Sequence, residues 1–293
     1  MEISSDLAGR KSRPYDVELT ARRTMNFAAG TLDHNPHYFN DEQPGGIIAP
    51  PMLAASLTWH MTLYREAFWE TRDFPPEIAV RQVHYSEWLQ MHQPLRPGMH
   101  LTIQAEVAAV LPHRAGTHMV VRYDATCNGQ PVFTEYAGAM LRDVKCVGEA
   151  RGKDVLVELD RVSRQDAATW EKILHVHPLA AHLYDGCGDV HNPIHTSYAF
   201  AHAVGLPDPI VHGTATLAYA VREIVAMEAD NDPARVAAIR ANFTGMVMPD
   251  SNIRIEMLAK QDEGDLTHCH FLVWNDEDKR AIRNASVSLR KTT

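Results

Sequence analysis

Four stretches of the first half of this chain recur in the second half in the same order, which confines the fold to architectures that can be built by tandem duplication. Asp33-His34-Asn35-Pro36-His37-Tyr38 answers to Asp189-Val190-His191-Asn192-Pro193-Ile194-His195, with one extra residue after the second aspartate. Gly46-Ile47-Ile48-Ala49-Pro50-Pro51 answers to Pro209-Ile210-Val211-His212-Gly213-Thr214. Pro97–Ile103 parallels Pro249–Ile255, and Ala137–Arg142 parallels Ala285–Arg290. Chance readily supplies one such match and rarely four in order. A chain of 293 residues also suits two units of about 150 residues each. The Gly148- and Gly152-containing stretch Lys145–Lys153 places the boundary near residue 150, dividing the chain into 1–150 and 151–293. The Ser- and charge-rich first dozen residues are expected to hang loose.

Each half reads as the same series of elements. A loop with Asn-Pro leads to a mostly apolar helix, Pro51–Phe68 in one half and Gly213–Met227 in the other. The second helix is apolar on nearly every face of its first turns, so it requires burial all round, as inside a curved sheet. β-rich runs follow at Ile78–Tyr85, Leu101–Val110, His118–Cys127 and Val132–Leu141, then at Val236–Phe243, Ile253–Leu258, Thr267–Trp274 and Ala281–Leu289. Turn residues such as Asn128-Gly129 and Asp262-Glu263-Gly264 separate them, the punctuation of an antiparallel meander. The expected class is α+β, with two antiparallel sheets each wrapped around a long central helix.

Composition excludes several functions. A net charge of -9 without a long basic run gives no support to a nucleic-acid partner. No stretch of 18 uncharged apolar residues predicts a membrane span, and Met1–Asp6 lacks the apolar core of a signal peptide. Four scattered cysteines without a CxxC pair fit free thiols in a cytoplasmic protein. The 17 histidines form no zinc motif, and the pairs His175/His177 and His268/His270 are read as ordinary strand residues.

Tyr184-Asp185-Gly186-Cys187-Gly188-Asp189, then Asn192-Pro193-Ile194-His195-Thr196, Gly205-Leu206-Pro207 and Ile210–Thr216 resemble the MaoC-like family of R-specific enoyl-CoA hydratases. Asp33, Asn35-Pro36 and Gly45–Pro51 resemble the degenerate partner module of the same family, so the resemblance runs from about Tyr15 to Arg290. It implies a double hot-dog fold, an acyl-CoA thioester substrate, no metal or redox cofactor, and a homodimer of double hot-dogs. In the family motif the histidine follows the aspartate by five residues. Here His195 follows Asp189 by six (195 − 189), so Val190 or His191 is expected to be inserted, and His191 becomes a rival participant.

The implied chemistry needs a water for C3, a proton for C2 and donors for the thioester oxygen. One carboxylate and one imidazole beside a shared water suffice without a metal. Asp189 and His195 are the expected catalytic pair, and the backbone N–H of Gly213 at a helix start is the expected oxyanion donor. Asn192 either caps the following helix, Pro193–Val204, or bonds the water, and His212 positions its loop. In the first half Tyr38 stands for the histidine and Pro50 for the glycine. Tyrosine is a poor base at neutral pH and proline has no N–H, so this half is expected to bind the acyl chain rather than react. Two alternatives share the fold: a dehydratase for acyl-carrier-protein or branched dicarboxylic CoA thioesters, and a non-catalytic acyl-binding subunit of a heteromeric hydratase.

Overall fold

The computed structural model describes residues 1–70, 74–156, 162 and 170–292. The first half contains β1 (Glu2–Ser4), β2 (Tyr15–Glu18), α1 (Ala21–Gly30), α2 (Leu53–Leu63), α3 (Arg65–Phe68), α4 (Pro76–Ala79), β3 (Gln82–Met91), β4 (His100–His113), β5 (Gly116–Cys127), β6 (Gln130–Arg142) and β7 (Lys145–Val147). The second contains β8 (Glu171–Val176), α5 (Ala180–Gly188), α6 (Tyr198–Ala203), α7 (Gly213–Glu228), β9 (Val236–Phe243), β10 (Ser251–Glu263), β11 (Leu266–Trp274) and β12 (Arg280–Arg290). The duplication is visible in the strand order β2-β4-β5-β6-β3-β9-β12-β11-β10-β8, which reads as one half followed by its mirror order.

This is the α+β double hot-dog arrangement. The two expected sheets are joined edge to edge into one of ten strands, because β3 and β9 pair antiparallel from Ser86↔Asn242 to Gln90↔Ala238. Arg240 lies over the Trp88 ring at 4.5 Å across this seam, where directly opposed side chains on one face meet. Alternate residues of β4, including Leu101, Ile103, Ala105 and Val107, turn into the core. The central helices lie in that core, and α7 buries ten residues from Ala215 to Val225 on all its faces.

Several boundaries differ from the sequence expectation for identifiable reasons. The first residues do not hang loose: β1 pairs with β7, and Ile3 and Leu7 are buried, so two apolar side chains outweigh the polar composition around them. The helix expected over Pro51–Phe68 breaks at Tyr64 (ψ 44°), leaving α2 and the short α3. The strand expected from Ile78 starts at Gln82, since Pro76 opens the helical turn α4. The helix expected over Pro193–Val204 is a 3-10 turn, Pro193–His195, followed by α6, which Ser197 starts by accepting from Phe200 N–H at 3.2 Å. Helices α1 and α5 were not anticipated at all.

Those two helices hold the halves together. Phe27 of α1 meets Tyr184 of α5 edge to face, with ring centroids 5.6 Å apart. Gly30 permits the close approach: a Cβ there would sit 2.7 Å from Cys187 Cβ. Arg222 of α7 reaches across to the carbonyls of Thr31 and Leu32 at 2.9 and 3.0 Å. Among the described residues no helix is long and apolar enough to cross a membrane.

Gly30→Ala should therefore destabilise the protein by about 1–3 kcal/mol, the usual cost of overpacking, despite alanine's better helix propensity. Gly186→Ala, on α5 with nothing within 4 Å of the new methyl, should be neutral or stabilising by up to about 1 kcal/mol. Urea unfolding of both variants tests the contrast, and equal midpoints would mean that α1 and α5 do not pack this closely.

Candidate active site

The loop between α5 and α7 folds through local hydrogen bonds. Asn192 Oδ1 accepts from Ile194 N–H at 3.3 Å, and Pro193 supplies a fixed φ for the 3-10 turn that ends at His195. Asn192 is thus occupied as a cap. The turn delivers His195 into the interior, where it is 8% exposed. A carbonyl oxygen can only accept, so the 2.7 Å contact between His195 Nδ1 and Ile210 O requires an N–H on Nδ1. Nε2 is then left with a lone pair, the state of a proton acceptor. His212, immediately before α7, stacks on His195 with ring centroids 3.6 Å apart. Its Nε2–H donates to Val190 O at 3.1 Å, and its Nδ1 has no partner.

Both imidazoles are held neutral. Burial pushes His195 down to about 4, opposed by the Ile210 carbonyl and the charge of Asp185. Burial lowers His212 well below the usual histidine range, and the neighbouring His195 lowers it further.

The carboxylates are arranged differently from the expectation. Asp189 terminates α5 in the left-handed region (φ 55°), and its half-exposed side chain meets His191 Nε2 at 3.4 Å. No hydrogen bond joins Asp189 to His195 among the described residues. Asp185, one turn earlier on α5 and buried, binds His191 Nδ1 at 2.7 Å. His191 therefore bridges two carboxylates, and the charge of the nearer one, Asp185, also acts on His195. Asp185 was missed in the sequence; it lies on α5, whereas Asp189 lies just beyond the helix end in the left-handed region.

Backbone contacts settle how the halves correspond. Ile48 N–H donates to His37 O as Ile210 N–H donates to Ile194 O, and Ala49 N–H donates to Leu95 O as Val211 N–H donates to Val247 O. Tyr38 accordingly stands where His195 does. Pro51, however, stands opposite Gly213, and Pro50 opposite His212, one residue from the sequence pairing. The same comparison removes the insertion within the duplicated loop. Leu32 (φ 50°) occupies the place of Asp189 (φ 55°), and Asp33 that of buried Val190, with Asp33 N–H and Val190 N–H each bonded five residues back. The second half has displaced its carboxylate by one position rather than gained a residue.

Gly213 begins α7 without a side-chain cap, which leaves first-turn N–H groups uncapped at the positive end of the helix, next to His212 and the His195 ring stacked on it. A Cβ at Gly213 would lie 2.9 Å from Phe243 Cδ1, so the packing of Phe243 is itself a reason for glycine. The first half supports the loop from α2: Trp59 Nε1 donates to His191 O at 3.2 Å, and Ser56 donates to Gly188 O.

Because His195 is charged in the unfolded chain below about 6.5 and neutral in the fold down to about 4, the unfolded state binds more protons between these values. Stability contributed by the neutral ring is present above about pH 6.5 and lost as pH falls toward 4. His195→Gln should flatten the fall in urea midpoint over that window, and an unchanged acid slope would show that His195 is not held neutral by burial.

The second half, residues 164–270, matches the family model described as the MaoC like domain, and residues 6–135 match the FAS1-like dehydratase domain region. Enoyl-CoA hydratase ChsH3 of Mycobacterium tuberculosis is 26% identical over 268 residues, covering 88% of this chain and 90% of that enzyme. The peroxisomal multifunctional enzyme type 2 of Drosophila melanogaster is 39% identical over 113 residues, which is 38% of this chain and 18% of the fly protein. A MaoC-like dehydratase from Phytophthora capsici shares the fold with a TM-score of 0.80 and 20% identity, each chain covered to 96%. With these matches on both halves and the double hot-dog fold along the whole chain, the protein belongs to the MaoC-like hydratase/dehydratase family.

Proposed function

We propose that this chain reversibly hydrates a 2-enoyl-CoA to an (R)-3-hydroxyacyl-CoA. The observation that carries the reading is a buried imidazole, His195, whose Nδ1–H is held by Ile210 O and whose ring stacks on His212 immediately before the uncapped start of α7. Nε2 takes a proton from water as its oxygen adds to C3, and returns that proton to C2. An imidazole held well below its usual range is a strong acid once protonated, which favours the return step. Asp189 orients the water, and Asp185 positions His191, which in turn steadies Asp189. The N–H of Gly213 receives the charge that develops on the thioester oxygen.

In this reading residues 1–150 form the binding half and residues 151–293 the reacting half. Tyr38 supports it, since burial raises its hydroxyl far above the range of a neutral-pH base, and Pro51 has no N–H at the glycine position. Four free cysteines fit a reducing, cytoplasmic setting.

Asp189→Asn and His195→Gln should each fold and lower kcat by about 10²- to 10⁴-fold on crotonyl-CoA, followed by loss of the enoyl absorbance with the purified chain alone. Near-wild-type turnover in either variant ends that assignment. Asp185→Asn should instead displace the pH–rate profile, because it acts through His191. Absence of turnover in the unmodified chain would favour the acyl-binding subunit instead.

The configuration at C3 is tested separately. Coupling crotonyl-CoA hydration to an S-specific 3-hydroxyacyl-CoA dehydrogenase should produce no NADH, and stoichiometric NADH would overturn the (R) assignment.

A further inference from the structure

Beneath the site, at the seam between the halves, lies a group of polar side chains that the hydration chemistry does not use. Glu87 on β3 and Glu135 on β6 are 2% and 1% exposed. The two carboxyls lie within electrostatic reach of each other, and Thr58 of α2 lies near Glu135 while its hydroxyl donates to Ala55 O at 3.1 Å. Among the described residues, both oxygens of Glu87 and Oε2 of Glu135 have no hydrogen-bond partner. His84 Nε2 lies 3.1 Å from Glu87 Oε2, but its N–H is directed to the Ser86 carbonyl at 3.1 Å. Tyr184 comes to the same place from α5. It is 1% exposed, its Oη has the Thr214 hydroxyl beside it but no well-formed hydrogen bond, and its electrostatic neighbours are Tyr219, Glu87 and Glu135. Tyr219 Oη, on α7, is also unpartnered and buried.

Unsatisfied polar groups this deep are uncommon in folded proteins, and each costs stability. Here they gather from four elements of both halves rather than scatter. The group is continuous with the reacting centre: Tyr184 packs on His212 with centroids 5.0 Å apart, and Gly213 touches Phe243, which packs on His84 at 4.7 Å.

We infer that Glu87, Glu135, Tyr184 and Tyr219 form the far end of the acyl site and bind an uncharged hydroxyl or carbonyl oxygen on the acyl chain, remote from the thioester. This inference rests on the proposed hydratase reading. In this inference an acyl chain whose thioester lies at Gly213 would reach the two carboxyls past Phe243 and His84, the side chains that link the two places. Burial, joined at Glu135 by the charge of Glu87, holds both carboxyls well above the usual carboxylate range. The pair therefore offers O–H donors beside C=O acceptors, and the tyrosines add two more hydroxyls. Such a set matches a neutral oxygen function on both its donor and acceptor sides. A carboxylate tail, by contrast, would bring a third acidic group into a buried pair that already keeps its protons, so the ω-carboxyl of a dicarboxylic acyl group is disfavoured.

The test separates binding from turnover. Calorimetry with the whole chain compares octanoyl-CoA, which cannot be hydrated, with its 6-hydroxy, 7-oxo and 8-hydroxy derivatives and with suberyl-CoA. At least one neutral oxygenated derivative should bind about 10- to 100-fold more tightly than octanoyl-CoA, the range expected when a buried donor or acceptor gains its partner. Suberyl-CoA should bind no better than octanoyl-CoA. In the double variant Glu87→Met, Glu135→Met the ratio should fall toward one, while stability holds or rises because both partners become apolar. Equal or weaker binding of every oxygenated derivative, or tightest binding of suberyl-CoA, overturns the inference. So does a double variant that keeps the wild-type ratio. Hydration of crotonyl-CoA remains a separate readout, so a failed subsite leaves the hydratase reading standing. A chain that binds the oxygenated thioesters but hydrates nothing overturns only the catalysis.

Discussion

The pairing of Ser86–Gln90 with Ala238–Asn242 decides where the rest of the molecule sits. Without it β3 and β9 would be open edges of two five-stranded sheets, each a template for misassociation. With it the halves are fixed to the residue, since a slip of one position would turn every side chain of a strand to the opposite face. The helices inherit that register. Ser56 and Trp59 of α2 reach Gly188 and the His191 carbonyl only because the first half's helix is held beside the second half's loop. The reacting loop is therefore a product of both halves, although its own residues all come from one.

Much of this was legible in the sequence, and what was not has a common cause. Strands with clear alternation and turn punctuation, such as β9 and β5, are found within a few residues of their expected limits. The short edge strands β2 and β8 carry too few alternating residues to stand out, yet they close the two ends of the sheet. Helices α1 and α5 escape notice because their glycines, Gly30 and Gly188, depress helix propensity while serving close packing. In the loop, the structure stacks His195 on His212 just before Gly213 opens α7. The sequence alignment of Asp33 with Asp189 is one residue off, because letters in a motif do not show that Leu32 and Asp189 share a left-handed φ. Asp185 was invisible for a related reason: its importance lies in where α5 points it, not in any pattern around it.

Neutrality is the electrostatic theme of the interior. His195 and His212 stack at 3.6 Å, a separation at which two imidazolium ions would repel strongly in a medium of low polarity. Each ring places its N–H on a backbone carbonyl, so the backbone selects the tautomer and leaves the opposite nitrogen to accept. Glu87 and Glu135 follow the same rule with the sign reversed, since burial favours their uncharged acids. Asp189 and His191, by contrast, lie half-exposed at the loop surface.

The first half shows what becomes of such a site when its chemistry is removed. Tyr38 sits where the acceptor imidazole would, but it is sealed in a small cluster with Ala28 and Ile48, against which Ala234 of the other half packs. Asn35, the counterpart of Asn192, still caps its turn through His37 N–H, and its amide now donates to Asn231 O at 2.7 Å. Arg222 takes the carbonyls of Thr31 and Leu32 at the end of α1. The loop that would carry substrate in a symmetric molecule is thus used as an interface. The Asn-Pro turn presents backbone and amide groups to the partner half there. Both central helices, α2 and α7, start without a side-chain cap, so the halves differ in the residues before the helix rather than in its capping. Asymmetry between the halves is thus built into the two loops: that of Tyr38 is closed by Ala234, Asn231 and Arg222 of the other half, whereas that of His195 keeps Asp189 and His191 half-exposed.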